Sequence, residues 1–336
     1  MRLIPLASLT SKLGLVTILG CAVDDGQLLV DQHSVELESR IEMQEQISAV
    51  GLSDLENFTW SEPVNLGPPV NTSAIEIMPT LSQDERTLYF VSDRAGGFDG
   101  TDIWVARRAS VHSPWETPVN LGAVINTPGN EADPALSNDG RHLFFSSNRP
   151  GGIRGLDVYV SHRRDPNDDF GWEPPVNLGP QINTIIGDRG ADYVVGGPKA
   201  PALLYFNRGQ GLVRSDIYSA PISPDGEPLA DATIVAELNS PGSVTGGQSL
   251  RMDGKEIYFM SNRGGSDFDI WFSIRGSRHE VWSTPTNAGA PLNTAFAEER
   301  PDLSFDGRTL LFDSDRPHDG LEDQDIWMST RVRREE

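Results

Sequence analysis

Three aspartates, one arginine and three glycines crowd into SDRAGGFDGTDIW, Ser92 to Trp104. Carboxylates at that density suit three kinds of chemistry. They can ligate a hard cation, form an acid–base pair, or accept backbone N–H groups in a tight turn. The stretch is not unique. SSNRPGGIRGLDVY (146–159), YFNRGQGLVRSDIY (205–218), MSNRGGSDFDIW (260–271) and DSDRPHDGLEDQDIW (313–327) share its design. Only the last aspartate occurs in every copy, as Asp102, Asp157, Asp216, Asp269 and Asp325. A residue required five times serves the architecture first, by accepting turn N–H groups or by meeting the recurrent arginine. The additional acids Asp99, Asp267, Asp319 and Asp323 belong to some copies only. No copy has the D-x-[DN]-x-[DN]-G-x5-E spacing of a calcium loop. The EDQD run at 322–325 is the expected place for any divalent cation, and no cofactor is otherwise implied.

A second acidic series lies five residues after a recurrent asparagine: Glu76, Glu131, Asp188 and Glu298, with Val244 breaking the pattern. Arg94, Arg149, Arg208, Arg263 and Arg316 follow the next aromatic run. If the acids open one strand and the arginines close its antiparallel neighbour, both sets reach one face. There they form a ligand-binding funnel or lock the architecture by ion pairing. Catalysis needs an asymmetric set, and a glycosidase needs two carboxylates roughly 5 to 9 Å apart. The candidates are Glu131, Asp133, Asp192, Glu298 and Glu299, with Asp302 nearby. The six histidines show no metal-ligand spacing, and no G-x-S-x-G, phosphate loop or dinucleotide fingerprint is present.

The elements that position these residues repeat too. PVNLGPPVNT, PVNLGAVINT, PVNLGPQINT and TNAGAPLNT precede four of the units, and AELNS is a trace of the same signature. The anchors Asn71, Asn126, Asn183, Asn239 and Asn293 are spaced by 55, 57, 56 and 54 residues. Within each period ERTLYFVSD-like and DIWVARR-like runs read as strands, with Asp-Gly turns such as SNDG, RMDG and SFDG between them. Tryptophans recur before the outer strand (Trp60, Trp115, Trp172, Trp282) and on the third (Trp104, Trp271, Trp327), which marks them as packing residues. Four antiparallel strands per unit predict an all-β, five-bladed β-propeller spanning 58–336. The last unit lacks its own outer segment, so residues 58–67 are expected to complete it and remove both sheet edges.

These motifs resemble the WD-like repeats of TolB-type β-propellers. The resemblance covers about 58–331 and rests on the S-x-DG turn, the S-[DN]-R-x-G-G strand end and the D-I-[WY] strand. It implies the fold and leaves function open, because this repeat serves many activities. Two departures are visible: five blades where TolB is expected to have six, and no separate N-terminal α/β domain.

The net charge of −22 excludes nucleic acid and anionic membrane surfaces as partners. Residues 1–21, MRLIPLASLTSKLGLVTILGC, read as a signal peptide with a lipobox-like end. Cys21, the single cysteine, is the expected lipidation site, and the folded domain has no thiol chemistry. Residues 22–57 read as an acidic tether, with SVELESRIEMQEQI able to form a short helix. The expected protein is a monomer in the bacterial cell envelope, lipid-anchored or periplasmic or secreted, meeting the membrane only through its anchor. Its expected role is to bind an envelope protein or glycan through the funnel. A carbohydrate-active hydrolase or lyase using funnel carboxylates is the alternative.

Overall fold

The computed structural model describes residues 57–196, 201–209, 213–265, 267–318 and 324–334. It also describes a two-residue pairing of Val23–Asp24 with Gln27–Leu28. The chain forms two compact units, Met1–Gln46 and Ile47–Glu336. The leader, Cys21, the SVELESRIEMQEQI stretch, and Glu322 and Asp323 of the EDQD run lie outside the described residues.

The larger unit is an all-β, five-bladed propeller, and its described residues contain no helix. Blade 1 is built from Glu76–Leu81, Thr87–Ser92, Asp102–Arg107 and Val119–Asn120, each antiparallel to the next. Blade 2 uses Glu131–Leu136, His142–Ser147, Asp157–His162 and Val176–Asn177. Blade 3 uses Asp188–Val194, Ala202–Gly209, Ser215–Ile222 and Thr233–Ile234. Blade 4 uses Thr245–Leu250, Glu256–Ser261, Asp269–Ile274 and Thr286–Asn287. Blade 5 has Glu298–Leu303, Thr309–Ser314 and Asp325–Arg333 from the C-terminal end. Its outer edge is Phe58–Trp60 and Val64–Asn65, which both pair with Asp325–Arg333. Both ends of the ring are therefore stitched into one sheet.

The first strand of each blade packs against the first strands on both sides, and Glu298–Leu303 meets Glu76–Leu81. These strands line the axis. Five apolar clusters fill the spaces between neighbouring blades. Period-2 alternation explains why the second strands are apolar on both faces. Phe144 faces the blade 2–3 core and Phe145 the blade 1–2 core, and both are fully buried. Each such ring contributes roughly 1.5–3 kcal/mol by leaving water.

The recurrent asparagines have one shared role. Asn126 accepts from the Ile103 N–H (2.9 Å) and donates to the Ile103 carbonyl (2.9 Å). Asn183 does the same at Val158, Asn239 at Ile217, Asn293 at Ile270 and Asn71 at Ile326. One side-chain amide thus replaces a strand where the outer segment turns back toward the axis.

Candidate functional site

The quoted aspartate is an architectural acceptor. Asp102 takes the Phe98 N–H (2.6 Å) and the Asn120 amide (3.0 Å), and Asp157 takes the Ile153 N–H (2.5 Å) and Asn177 (3.2 Å). In blades 4 and 5 the asparagine remains its partner, Asn287 to Asp269 and Asn65 to Asp325. The recurrent arginine goes elsewhere.

Four of the funnel acids open their first strands and are wholly buried. Glu76 accepts the Thr72 N–H (2.6 Å), the Thr72 hydroxyl (2.9 Å), the Ser92 hydroxyl (2.9 Å) and Arg94 (2.8 Å). Glu131 repeats this set with Thr127, Ser147 and Arg149 (3.3 Å). Glu298 repeats it with Thr294, Ser314 and Arg316 (2.8 Å). Asp188 binds Thr184 and Arg208 (2.6 Å). There the register places Arg208 opposite Asp188, where the sister blades have serine. Burial raises the carboxyl groups of Asp188 and Glu298 above their ordinary range, against the pull of these donors. Each arginine also lies over aromatic rings. Arg149 is 5.0 Å from both Phe145 and Tyr159, and Arg316 is 5.1 Å from Phe312 and 5.0 Å from Trp327. The acids and arginines thus meet, and each pair is committed internally.

Blade 4 departs from this pattern, and the departure sits one residue from where spacing places it. The register sets Thr245, not Val244, opposite Ser261, as Glu76 stands opposite Ser92. The loop before it is one residue longer, so counting from Asn239 lands on the wrong side chain. The Thr245 hydroxyl lies 3.3 Å from that of Ser261 and accepts from Arg263 (3.2 Å), so hydroxyl replaces carboxylate. Arg263 also donates to the Leu238 carbonyl. With no carboxylate facing it, desolvation lowers its pKa to about 10.

Below the ring the first strands break register at a bulge, and the bulged residues adopt positive φ: Met78 (55°), Asp133 (51°), Gly190 (65°), Gly247 (53°) and Arg300 (46°). The bulge turns a backbone N–H toward the preceding blade. Met78 donates to Asp313 (3.0 Å), Gly190 to Ser146 (3.1 Å) and Gly247 to Asn207 (3.3 Å). One layer further, Leu81 donates to Asp302 (3.0 Å), Leu250 to Asp192 (2.6 Å) and Leu303 to Ser249 (2.9 Å). Side chains of one blade thus cap the backbone of the next around the axis.

This layer holds the aperiodic charges. Arg300 pairs with Glu299 (2.7 Å) and Asp313 (2.8 Å). Burial lifts Asp192 and Asp302 to about 7, and the Asp192 charge adds to the effect on Asp302. Asp313 also rises above its ordinary range, since burial outweighs the attraction of Arg300. Asp133 Oδ2 and Gln248 Oε1 have no hydrogen-bond partner among the described residues. Asp133, Asp192, Gln248 and Asp302 line an axial cavity of about 40 Å³. Small-molecule sites usually span about 300–1,000 Å³, and a water occupies about 30 Å³. The cavity is therefore on the scale of water molecules rather than of a sugar ring. Arg300, Asp313 and Gln248 were not singled out by the sequence. A charge preceding Pro301 inside an axial strand, and Asp313 where the sister blades carry Val91 and Ser146, were the available signals.

No protein-family model matches the chain. No curated protein sequence matches it either. Solved structures do share the fold. An endo-arabinase from Bacteroides thetaiotaomicron aligns at TM-score 0.52 and 14% identity, covering 78% of this chain and 95% of that one. An α-L-arabinofuranosidase from Podospora anserina, in complex with cellotriose, aligns at TM-score 0.52 and 11% identity, covering 82% and 96%. A putative TolB from Agrobacterium tumefaciens aligns at TM-score 0.45 and 19% identity, covering 79% of each chain. At these identities the likeness is one of fold.

Proposed function

We propose that this protein is a binding module of the bacterial cell envelope, engaging a protein or glycan through the funnel face, without turnover. One observation carries the reading. The acids that reach the funnel are spent on arginines and buried, and Asp192 and Asp302, whose carboxyl groups are raised to about 7, line an axial cavity of only about 40 Å³. The leader and Cys21 support lipid anchoring, and palmitate labelling of wild type but not of Cys21→Ser is the expected result.

A second reading, a carbohydrate-active hydrolase, draws on the fold shared with an endo-arabinase and an α-L-arabinofuranosidase and on the raised pKa of Asp192 and Asp302. One experiment separates the two. The wild type is incubated with arabinan and a panel of plant and bacterial polysaccharides, and new reducing ends are counted. The binding reading expects none, with lowered thermal midpoints in Glu131→Ala and Glu298→Ala. Turnover that these variants abolish without a shift in midpoint would establish the hydrolase.

A further inference from the structure

The funnel face is not uniform in charge. Four of its five ring arginines are neutralised by acids and Arg263 is held by hydroxyls and a carbonyl, but two arginines outside the ring have no partner among the described residues. Arg154, in the exposed loop between the second and third strands of blade 2, has no ion pair or hydrogen-bond partner among the described residues. Neither has Arg189, the second residue of blade 3's axial strand, which is only half exposed. Both line a cleft of about 360 Å³ where blades 2 and 3 meet. The one acid among the described residues of its wall, Asp188, is already held by Arg208 at 2.6 Å. Two uncompensated guanidinium groups therefore share one concavity on a chain of net charge −22.

The rest of the wall is aliphatic. Ile185 and Ile186 are 72% and 51% exposed, and Leu156 completes the surface. Among the described residues no aromatic ring lines the cleft, so its described wall offers no flat stacking surface for a sugar ring. The Asp188 N–H donating to the Leu156 carbonyl (3.2 Å) fixes the frame across the blade boundary, and within blade 3 the Gly209 N–H donates to the Gly187 carbonyl (3.1 Å). Paired β-branched side chains held out in water beside unpaired guanidinium groups complement one chemistry: an aliphatic side chain next to a carboxylate.

We infer that this cleft binds an acidic polypeptide segment, seating a Leu, Ile or Val of the partner on Ile185 and Ile186. A neighbouring Asp or Glu, or a terminal carboxylate, then reaches Arg154 and Arg189. The inference rests on the binding reading above and names its partner class. A guanidinium is suited to this role because its planar donor fork grips a carboxylate through two parallel bonds.

Full-length protein is titrated into fluorescent octapeptides that combine Glu with Ile or Leu, into the same peptides with Gln for Glu, and into labelled oligogalacturonate. Binding is read by polarisation, and turnover is assayed in parallel. The expected result is saturable binding of the acidic–aliphatic peptides, weakened by salt. Arg154→Glu and Ile185→Ser/Ile186→Ser should each loosen it about tenfold. Both changes lie in exposed loop positions, and an unchanged thermal midpoint confirms that the fold is intact. Arg189→Glu should act in the same direction. Equal binding of the Gln peptides, or no loosening in Arg154→Glu, overturns the inference. Preference for oligogalacturonate overturns the peptide assignment and leaves the binding module standing. Polysaccharide turnover in the parallel assay overturns the binding module itself.

Discussion

Blades 4 and 5 carry the same ring position in two chemistries. In blade 5 Glu298 collects Thr294, Ser314 and Arg316. In blade 4 Thr245 meets the same serine and arginine positions through one hydroxyl, and the charge is gone. The first three strands of both blades keep the same antiparallel order all the same. Hydrogen bonding at the start of the axial strand is therefore what the fold requires, and the carboxylate is one way to supply it. A buried ion pair gains little over a well-satisfied neutral group, because desolvation offsets most of the attraction. Removing one partner from an existing pair is a different matter, since it strands a charge.

That contrast can be broken at several levels. The largest effect belongs to ring closure, which both blades depend on. Deleting residues 1–67 removes Phe58–Trp60 and Val64–Asn65 from blade 5 and exposes the edge of Asp325–Arg333. The whole propeller should lose stability in a single lowered transition by circular dichroism, and an unchanged midpoint would refute closure by this segment. Next comes Glu131→Ala, which leaves Arg149 facing an empty buried site. A loss of about 3–5 kcal/mol in urea unfolding is expected. Glu298→Thr copies blade 4 into blade 5 and should cost less than Glu131→Ala, on the order of 1–3 kcal/mol. If the two variants lose equal stability, the charge itself matters and the comparison fails.

The smallest effect is one of pH. Asp302 sits at about 7 in the fold, against an ordinary value near 3.8. The folded chain thus holds a proton that the unfolded chain has released. Stability from this group is full below about pH 4 and declines as pH rises through about 7. Asp192 and Asp313 act in the same direction. Asp302→Asn keeps an acceptor for the Leu81 N–H and removes the ionisation. Thermal midpoints taken across pH 5–8 should fall less steeply in this variant than in wild type. An identical slope would show that Asp302 ionises freely in the fold.

Much of the molecule was legible because it is periodic. The spacing of Asn71, Asn126, Asn183, Asn239 and Asn293 gave five blades, and the missing outer segment of the last unit gave the closure by residues 58–67. The single universal aspartate pointed to a turn acceptor, as Asp102 and Asp157 are. Alternation along HLFFSS followed from the same logic, since a strand between two neighbours buries both faces. Counting failed at Thr245, where one inserted loop residue shifts the register, and registers are set by pairing partners rather than by chain distance.

Repeated residues are dictated by local geometry that is the same in every blade, so the sequence by itself determined the propeller, its blade number and its ring of acids and arginines. What it could not determine is which singular residues converge. Arg300 and Gln248 meet at the axis, and Arg154, Ile185 and Arg189 meet at one blade boundary, because ring closure and the inter-blade offset bring different strands together. Those contacts join different blades, and only the tertiary structure, where burial and bulge direction decide which charges go unpaired, could assign them.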